Sequence, residues 1–500
     1  MISTIASKLA SSWNRYPKSW FWATIVLAGI LFTAQIRTNP PGFYIDESSI
    51  AYNAHTIAES GLDEHGVFFP LYFRAFGEYK NPAYIYLLAF CDKLFGPGIL
   101  MARLLSAALG FATALILGKL AARLTGDSFV AIFVAALALF EPWLFELSRL
   151  VYEVALFPLA LSLFLFCLYS AHSRDRWSLL DGVRLALTLA IMTYTYSIGR
   201  LLAPLLAFGL VLFISRNNWV GILRSWAFYA ITLIPLALFA RSNPHALTDR
   251  FYWVSYIRAD STISEIAWGF VTHYVANFDP QHWLLPGFEK LTEHTPAQGG
   301  VLVALFVLCL LGAFLVIRDH IRDRWWLYTL YGLFASVVPA SFTADQFHTL
   351  RLIALPIFLI LISVPAIVWL KSSAPRYAGL IILVAGAFIQ ASAFQYWYHT
   401  KGKDRTYEFE VGYPVVLNAA INTGASTIYL YDRDVYPSYI HAYWYSTLDG
   451  RDLSRFQRLP SSAVPPAGAM IVGTVEPCGT CRVVSHIDNF YAYFYDKTEE

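Results

Sequence analysis

Charge is what this chain has least of. Only 14% of its 500 residues are Asp, Glu, Lys or Arg, against 57% hydrophobic and 17% aromatic. A soluble globular domain carries roughly 25% charged residues. An architecture built mainly of soluble domains is therefore excluded, and the expected solvent is a bilayer. The formal net charge of +2 supplies no basic field for a nucleic-acid partner. Cysteine is scarce as well, with five in all. Cys91, Cys167 and Cys309 lie in or beside apolar runs and read as small buried residues. Cys478 and Cys481 form EPCGTCR, and no second CxxC completes a zinc set. In a tail outside the cytoplasm they are expected to close a local disulfide. The N-terminus has basic Lys8, Arg15 and Lys18 but no small-residue cleavage site, so the apolar run after it reads as a retained span. No internal repeat of the inverted-repeat transporter kind is visible.

What the chain has instead is a series of long apolar runs. A spanning helix needs roughly 20 mostly apolar residues, and about eleven runs qualify or nearly so. They begin near Trp20, Ile99, Phe129, Val154, Val183, Leu201, Trp226, Val301, Trp325, Leu352 and Tyr377. Glu141-Pro142 and Arg216 shorten the third and sixth. PAYIYLLAFC, from Pro82, is too short to cross and predicts a re-entrant or interfacial helix. Basic residues gather on alternate short links, at Arg123, Arg174/Arg176, Arg216 with Arg224, Arg318/Arg322/Arg324, and Lys371 with Arg376. The positive-inside bias makes these links cytoplasmic and the N-terminus internal. Two long loops, about 38–98 and 242–299, then fall outside, as does the tail. The tail loses the apolar runs and gains strand-like STIYLYD (Ser426–Asp432) and AMIVGTV (Ala469–Val475). The expected architecture is an α-helical polytopic protein of the cell (inner) membrane, with a transmembrane domain over 1–395. A small extracytoplasmic α/β C-terminal domain follows over 396–500.

Several polar side chains converge on the outer ends of these spans. Adjacent Asp46 and Glu47, in FYIDESSIAYNAH, open an amphipathic stretch with Ile50, Ala51, Ala54, Ile57 and Ala58 at helical spacing. One reading is an N-cap pair stabilised by the helix dipole; the other is a general base at a membrane surface. Lys80, just ahead of the short helix, reads as a snorkelling anchor or as a holder of a lipid-linked phosphate. Glu153, a lone acid entering an apolar run, should face a cavity, with pairing to Arg149 as the structural alternative. Arg200 sits at a tight outer junction, where a structural role is the alternative. Arg250, His273 and His294 lie on the second long loop, and His348 and Arg351 precede the tenth span. A guanidinium buried at such a place matches phosphate oxygens with its planar fork. Charges at the span ends, rather than near the midplane, favour surface chemistry over the alternative of a polytopic transporter or flippase of lipid-linked saccharides. A non-catalytic assembly or sensing subunit would leave Asp46-Glu47 without a role.

These residues resemble a known family. IDE after the first span, YKNP before the short helix, MARLLSAALG opening the second span and the late HTLRLIALP are similar to bacterial GT-C glycosyltransferases. The likeness is to the protein-mannosyltransferase and aminoarabinose-transferase superfamily, and it covers about residues 20–370. The tail is similar in architecture alone. The resemblance implies a GT-C type fold and transfer of a sugar from a polyprenyl-phosphate-linked donor to a lipid, glycan or protein acceptor outside the cytoplasm. It implies Asp46 as catalytic carboxylate with Glu47 beside it contacting acceptor, Lys80 on the donor phosphate, and Glu153 as a second acid. Relatives carry Lys before Pro-Pro, where this chain has Lys-Asn-Pro. The WWDYG signature of oligosaccharyltransferases is absent, Trp325-Trp326 being followed by Leu-Tyr, which weighs against en bloc glycan transfer. The site so assembled has Asp46, Glu47 and Glu153 as catalytic acids and Lys80, Arg351 and Arg200 on donor phosphate. His294, His348 and Arg250 are left for the acceptor or its loop. A phosphate leaving group held by Lys80 and Arg351 needs no metal, yet Asp46 and Glu153 are also a pair that can share a divalent ion, so metal dependence stays open. Direct displacement would invert the anomeric centre.

Overall fold

The computed structural model describes residues 17–287, 290–296, 298–433 and 436–496; Lys8 and Arg15 lie outside them. A helix begins within a few residues of ten of the eleven expected positions, from Pro17–Thr33 to Ala374–Lys401, and Trp226 falls inside the helix Trp219–Thr232. Five of these are long and apolar enough, by length and composition, to cross a membrane: Ile99–Thr125, Glu153–His172, Trp219–Ser242, Val303–His320 and Ala374–Asp404. The two shortened runs end where their breakers predict. Pro142 has no amide to continue the helix Ser128–Phe140, and the Glu141 carboxylate instead caps a new turn, Pro142–Leu147, by accepting the Leu144 amide at 3.0 Å. The sixth run closes in a tight turn at Phe213, ahead of Arg216.

The bundle sorts its helices by how much of their circumference is apolar and covered. Leu355–Lys371 is buried at 14 of its 17 positions and forms the central pillar, as a helix hydrophobic all round must. Gly312, on Val303–Leu315, crosses it so closely that a Cβ would strike the Ile362 carbonyl. Trp219–Ser242, by contrast, presents Leu223, Ile231, Ile234 and Leu238 outward. Such an exposed apolar face on a long apolar helix is lipid-facing. The protein is a multi-pass membrane protein.

At one end of the bundle lie an acidic helix, Ile45–Ser60, and the expected short helix, Pro82–Phe95, which starts on proline and ends at Gly96. Between them, β1 (Phe73–Ala75) and β2 (Glu78–Lys80) form an antiparallel hairpin. Phe76 and Gly77 both have positive φ (57° and 78°), the signature of a type I′ turn. That turn pairs Lys80 with Phe73 and turns both inward.

The tail holds β3 (Ile428–Tyr431), β4 (Phe456–Leu459), β5 (Met470–Gly473), β6 (Arg482–Ile487) and β7 (Phe490–Phe494), in the order β4-β3-β5-β7-β6. Strand β3 runs parallel to β4 and β5, while β7 is antiparallel to β5 and β6. Helices Gly412–Ile421 and Tyr439–Leu448 pack with it, and Cys478 and Cys481 are joined by a disulfide. Two features differ from expectation. The last long helix continues through residue 396 to Lys401, because nothing in AFQYWYHTK breaks it. The tail keeps only a small cluster of its own, Ala469, Ile471 and Tyr493, and shares its larger core with the bundle's end helices. Its Leu417, Ile440, Trp444 and Met470 share one cluster with Ile50, Ala51 and Ala54 of the acidic helix and Tyr84 and Leu88 of the short helix.

Candidate active site

The side chains expected from the sequence to be functional stand at helix starts, at the end of strand β2 or on connecting segments, not within the long helices. The acidic helix begins when Glu47 folds back to accept the Tyr44 amide at 2.9 Å, and it ends at Gly61, φ 74°, whose amide reaches the Ile57 carbonyl. Asp46 and Glu47 are neighbours in sequence but about 100° apart around the helix, and their fates diverge. Asp46 looks into a cavity of about 220 Å³ and is 37% exposed. Glu47 is fully buried: it also accepts the Val151 amide at 2.9 Å and lies 3.6 Å from the buried Arg103 guanidinium. Burial pushes its carboxyl above the usual range, against the pull of Arg103 and the two amides. Glu47 is thus the capping member of the pair, and the expected acceptor contact is corrected, since its carboxylate does not reach the cavity.

Lys80 follows directly from the hairpin. Its ammonium lies 2.5 Å from Asp46 Oδ1, only 5% exposed, and 5.1 Å above the Phe76 ring. Burial alone would depress its pKa, but Asp46, Glu153 and Glu78 outweigh it and raise it, keeping the group charged. Asn81, the departure from the family pattern, holds Glu153 Oε2 at 2.6 Å. Arg149, the alternative partner of Glu153, is elsewhere: it donates to the carbonyls of Phe32, Ala34 and Asn39 at 2.6–2.8 Å, satisfying the C-terminal end of the first helix.

The same cavity is lined by Arg200, Arg250, His348 and Arg351. Arg200 donates to the Leu247 carbonyl at 3.1 Å, Arg250 pairs with Glu78 at 3.0 Å, and Arg351 pairs with the half-exposed Asp345 at 2.7 Å. His348 is held neutral, burial first and then Arg351, Lys290 and Arg250 pulling its pKa down to about 2. His294 is not in the cavity. It pairs with buried Glu146 and donates to the Gln298 carbonyl at 2.6 Å, which fastens the second outer loop; of the two places expected for it, acceptor or loop, it takes the loop. Its sequence neighbour Glu293 lines the cavity instead, bonded to Thr349 and 3.6 Å from His348 Nδ1. Lys290 and the tyrosines Tyr44, Tyr152 and Tyr196 complete the wall. None of these was singled out from the sequence; the one signal was the adjacency of Glu293 to a residue that was. Among the described residues, no three His, Cys, Asp or Glu side chains gather as a metal-ligand set.

One buried ammonium and three guanidiniums around a partly exposed carboxylate can hold a phosphate and accept a proton beside it. Comparison with known proteins gives the same direction. Residues 79–242 match the family described as dolichyl-phosphate-mannose-protein mannosyltransferase. No curated protein sequence matches the chain. Among solved structures, ArnT from Cupriavidus metallidurans bound to undecaprenyl phosphate superposes with a TM-score of 0.62 at 12% identity, covering 95% of this chain and 98% of that one. The apo form of ArnT gives 0.60 at 13% identity with the same coverage. At such identity the likeness establishes the fold.

Proposed function

We propose that this chain is a membrane glycosyltransferase of the GT-C type and moves one sugar from a polyprenyl-phosphate donor to an acceptor hydroxyl on the extracytoplasmic face of the cell membrane, a reading supported by the family match over residues 79–242 and the ArnT-like fold. The observation that carries this reading is the pairing of the exposed Asp46 with the buried Lys80 in a cavity ringed by Arg200, Arg250 and Arg351. The acceptor hydroxyl belongs to a lipid, a glycan or a protein. Asp46 takes the hydroxyl proton as the oxygen attacks the anomeric carbon. The anomeric carbon–oxygen bond to phosphate breaks, and its electron pair leaves with the phosphate. Lys80 and the arginines neutralise the charge that develops there. Attack opposite the leaving group inverts the anomeric centre. Because Lys80 and Asp46 touch, a phosphate that draws the ammonium toward itself releases the carboxylate to act as base, so donor binding prepares the acceptor step.

Purified protein offered a panel of polyprenyl-phosphate sugars and acceptors tests the reading. Asp46→Asn, which keeps volume and removes the base, is expected to slow transfer ~100- to 10,000-fold while donor still binds. Near-wild-type turnover in that variant would reduce Asp46 to a structural partner of Lys80.

A further inference from the structure

The tail reaches the acidic helix through a buried chain of three polar side chains that the transfer step does not use. Ser48, one residue beyond Glu47, has its Oγ 2.8 Å from His441 Nδ1. His441 Nε2 lies 2.6 Å from Glu410 Oε2. All three are buried, Ser48 and His441 completely, so no substrate reaches the serine and the arrangement is not a hydrolase's. The tautomer is fixed by the partners: a carboxylate only accepts, so Nε2–H donates to Glu410, and Nδ1 accepts the Ser48 hydroxyl proton. The Ile45 amide, first in the acidic helix, also faces the Glu410 carboxylate, which therefore sits at the positive end of that helix. Glu410 itself has φ 57°, a left-handed conformation that a non-glycine residue holds only when its surroundings impose it.

Apolar contacts run beside this chain. Trp444 stacks on Phe43 at 5.7 Å and Tyr443 meets Tyr52 at 5.4 Å, while the Tyr439 hydroxyl donates to Glu64 at 3.1 Å. These contacts clamp the helix, but they are non-directional or lie beyond its first turn. The Ser48–His441–Glu410 chain is directional and lies on the turn that carries Asp46, where it joins the Glu47 bond to the Val151 amide in fixing that turn's rotation, this time from the tail.

We infer that His441, acting with Glu410 through Ser48, is a positioning residue of the transfer site: the tail sets the angle at which Asp46 faces the donor cleft. The inference rests on the reading of Asp46 as base. Its consequence is a split: loosening the first turn should degrade proton abstraction while leaving the phosphate-holding cations, which stand on other elements, in place. A misplacement of about 1 Å can cost on the order of 100-fold in rate.

The test uses the full-length protein in detergent or nanodiscs, with His441→Ala, Ser48→Ala, their double variant, and two partial replacements. His441→Asn keeps an acceptor for Ser48, and His441→Gln keeps a donor for Glu410. Hydrogen exchange, donor affinity, transfer kinetics and thermal midpoint are measured on each. The expected result is faster exchange at residues 45–52, donor Kd within twofold of wild type, and kcat down ~10- to 100-fold. The double variant should be no worse than the worse single one, and Asn or Gln should recover part of the rate. Unchanged exchange in the first turn, or faster exchange with unchanged kcat, would overturn the inference. So would a parallel loss of donor affinity and thermal midpoint, since a general structural role produces that. If wild type transfers no sugar with any donor, the base assignment fails by itself. Exchange at 45–52 then still decides whether the tail orients this turn.

Discussion

Removing the ammonium of Lys80 separates function from stability more sharply than any other single change. Lys80→Met keeps the length of the stem and deletes the charge. The partner left behind, Asp46, is 37% exposed, so water rehydrates it, and the lost ion pair should cost no more than the ~0–1 kcal/mol of a surface bridge. A charge-assisted bond from that ammonium to a donor phosphate contributes about 1.5–3 kcal/mol, a factor of roughly 10–150 in affinity. The expected outcome is a Kd for polyprenyl phosphate that rises by that factor, measured by equilibrium binding in nanodiscs, with a thermal midpoint nearly unchanged. Lys80→Arg should recover little, because a flat guanidinium does not fit where a compact ammonium sits beneath Asp46 and over Phe76. Kd within twofold of wild type in the Met variant would refute the reasoning and make Lys80 a structural partner of Asp46.

Glu47→Gln should do the reverse of Asp46→Asn: it leaves Arg103 as an unpaired buried charge, and a stability loss of about 3–5 kcal/mol should appear as a lowered thermal midpoint and poor yield. Acidification should destabilise the fold through His348: its folded pKa lies near 2 against about 6.5 unfolded, so the unfolded chain binds the extra proton first. Stability from this group is complete above pH 6.5 and is lost at up to ~1.4 kcal/mol per pH unit below it. Thermal midpoints between pH 7 and pH 4 should therefore fall less steeply in His348→Gln than in wild type.

The apolar runs made the helical scaffold legible, since a bilayer-length stretch permits few other structures, and breakers such as Glu141-Pro142 marked true ends. Asp46, Lys80, Glu153, Arg200, Arg250, His348 and Arg351 were legible as a group because charge near an apolar run is rare enough to stand out. What local pattern does not carry is direction. Asp46 and Glu47 look alike in sequence, and only the rotation of their helix sends one to the cavity and the other to Arg103. The same holds one residue apart on the second outer loop, where His294 turns to Glu146 and Glu293 to the cavity. The merging of the tail's core with the acidic helix was illegible for a different reason: it depends on contacts between residues nearly 400 positions apart, to which no periodicity points.

That sequence distance has a consequence in time. Ser48 and His441 are 393 residues apart, and a ribosome adding ~5–20 residues per second needs roughly 20–80 s to go from one to the other. During that interval the spans can enter the membrane and pack, but the acidic helix lacks the partner that covers its tail-facing side. The turn that carries Asp46, made long before the tail, is therefore among the last parts of the molecule to be finished. A nascent chain halted before the tail is made has the cations of the cavity in place, but the turn that carries Asp46 still lacks its contacts to His441 and Glu410.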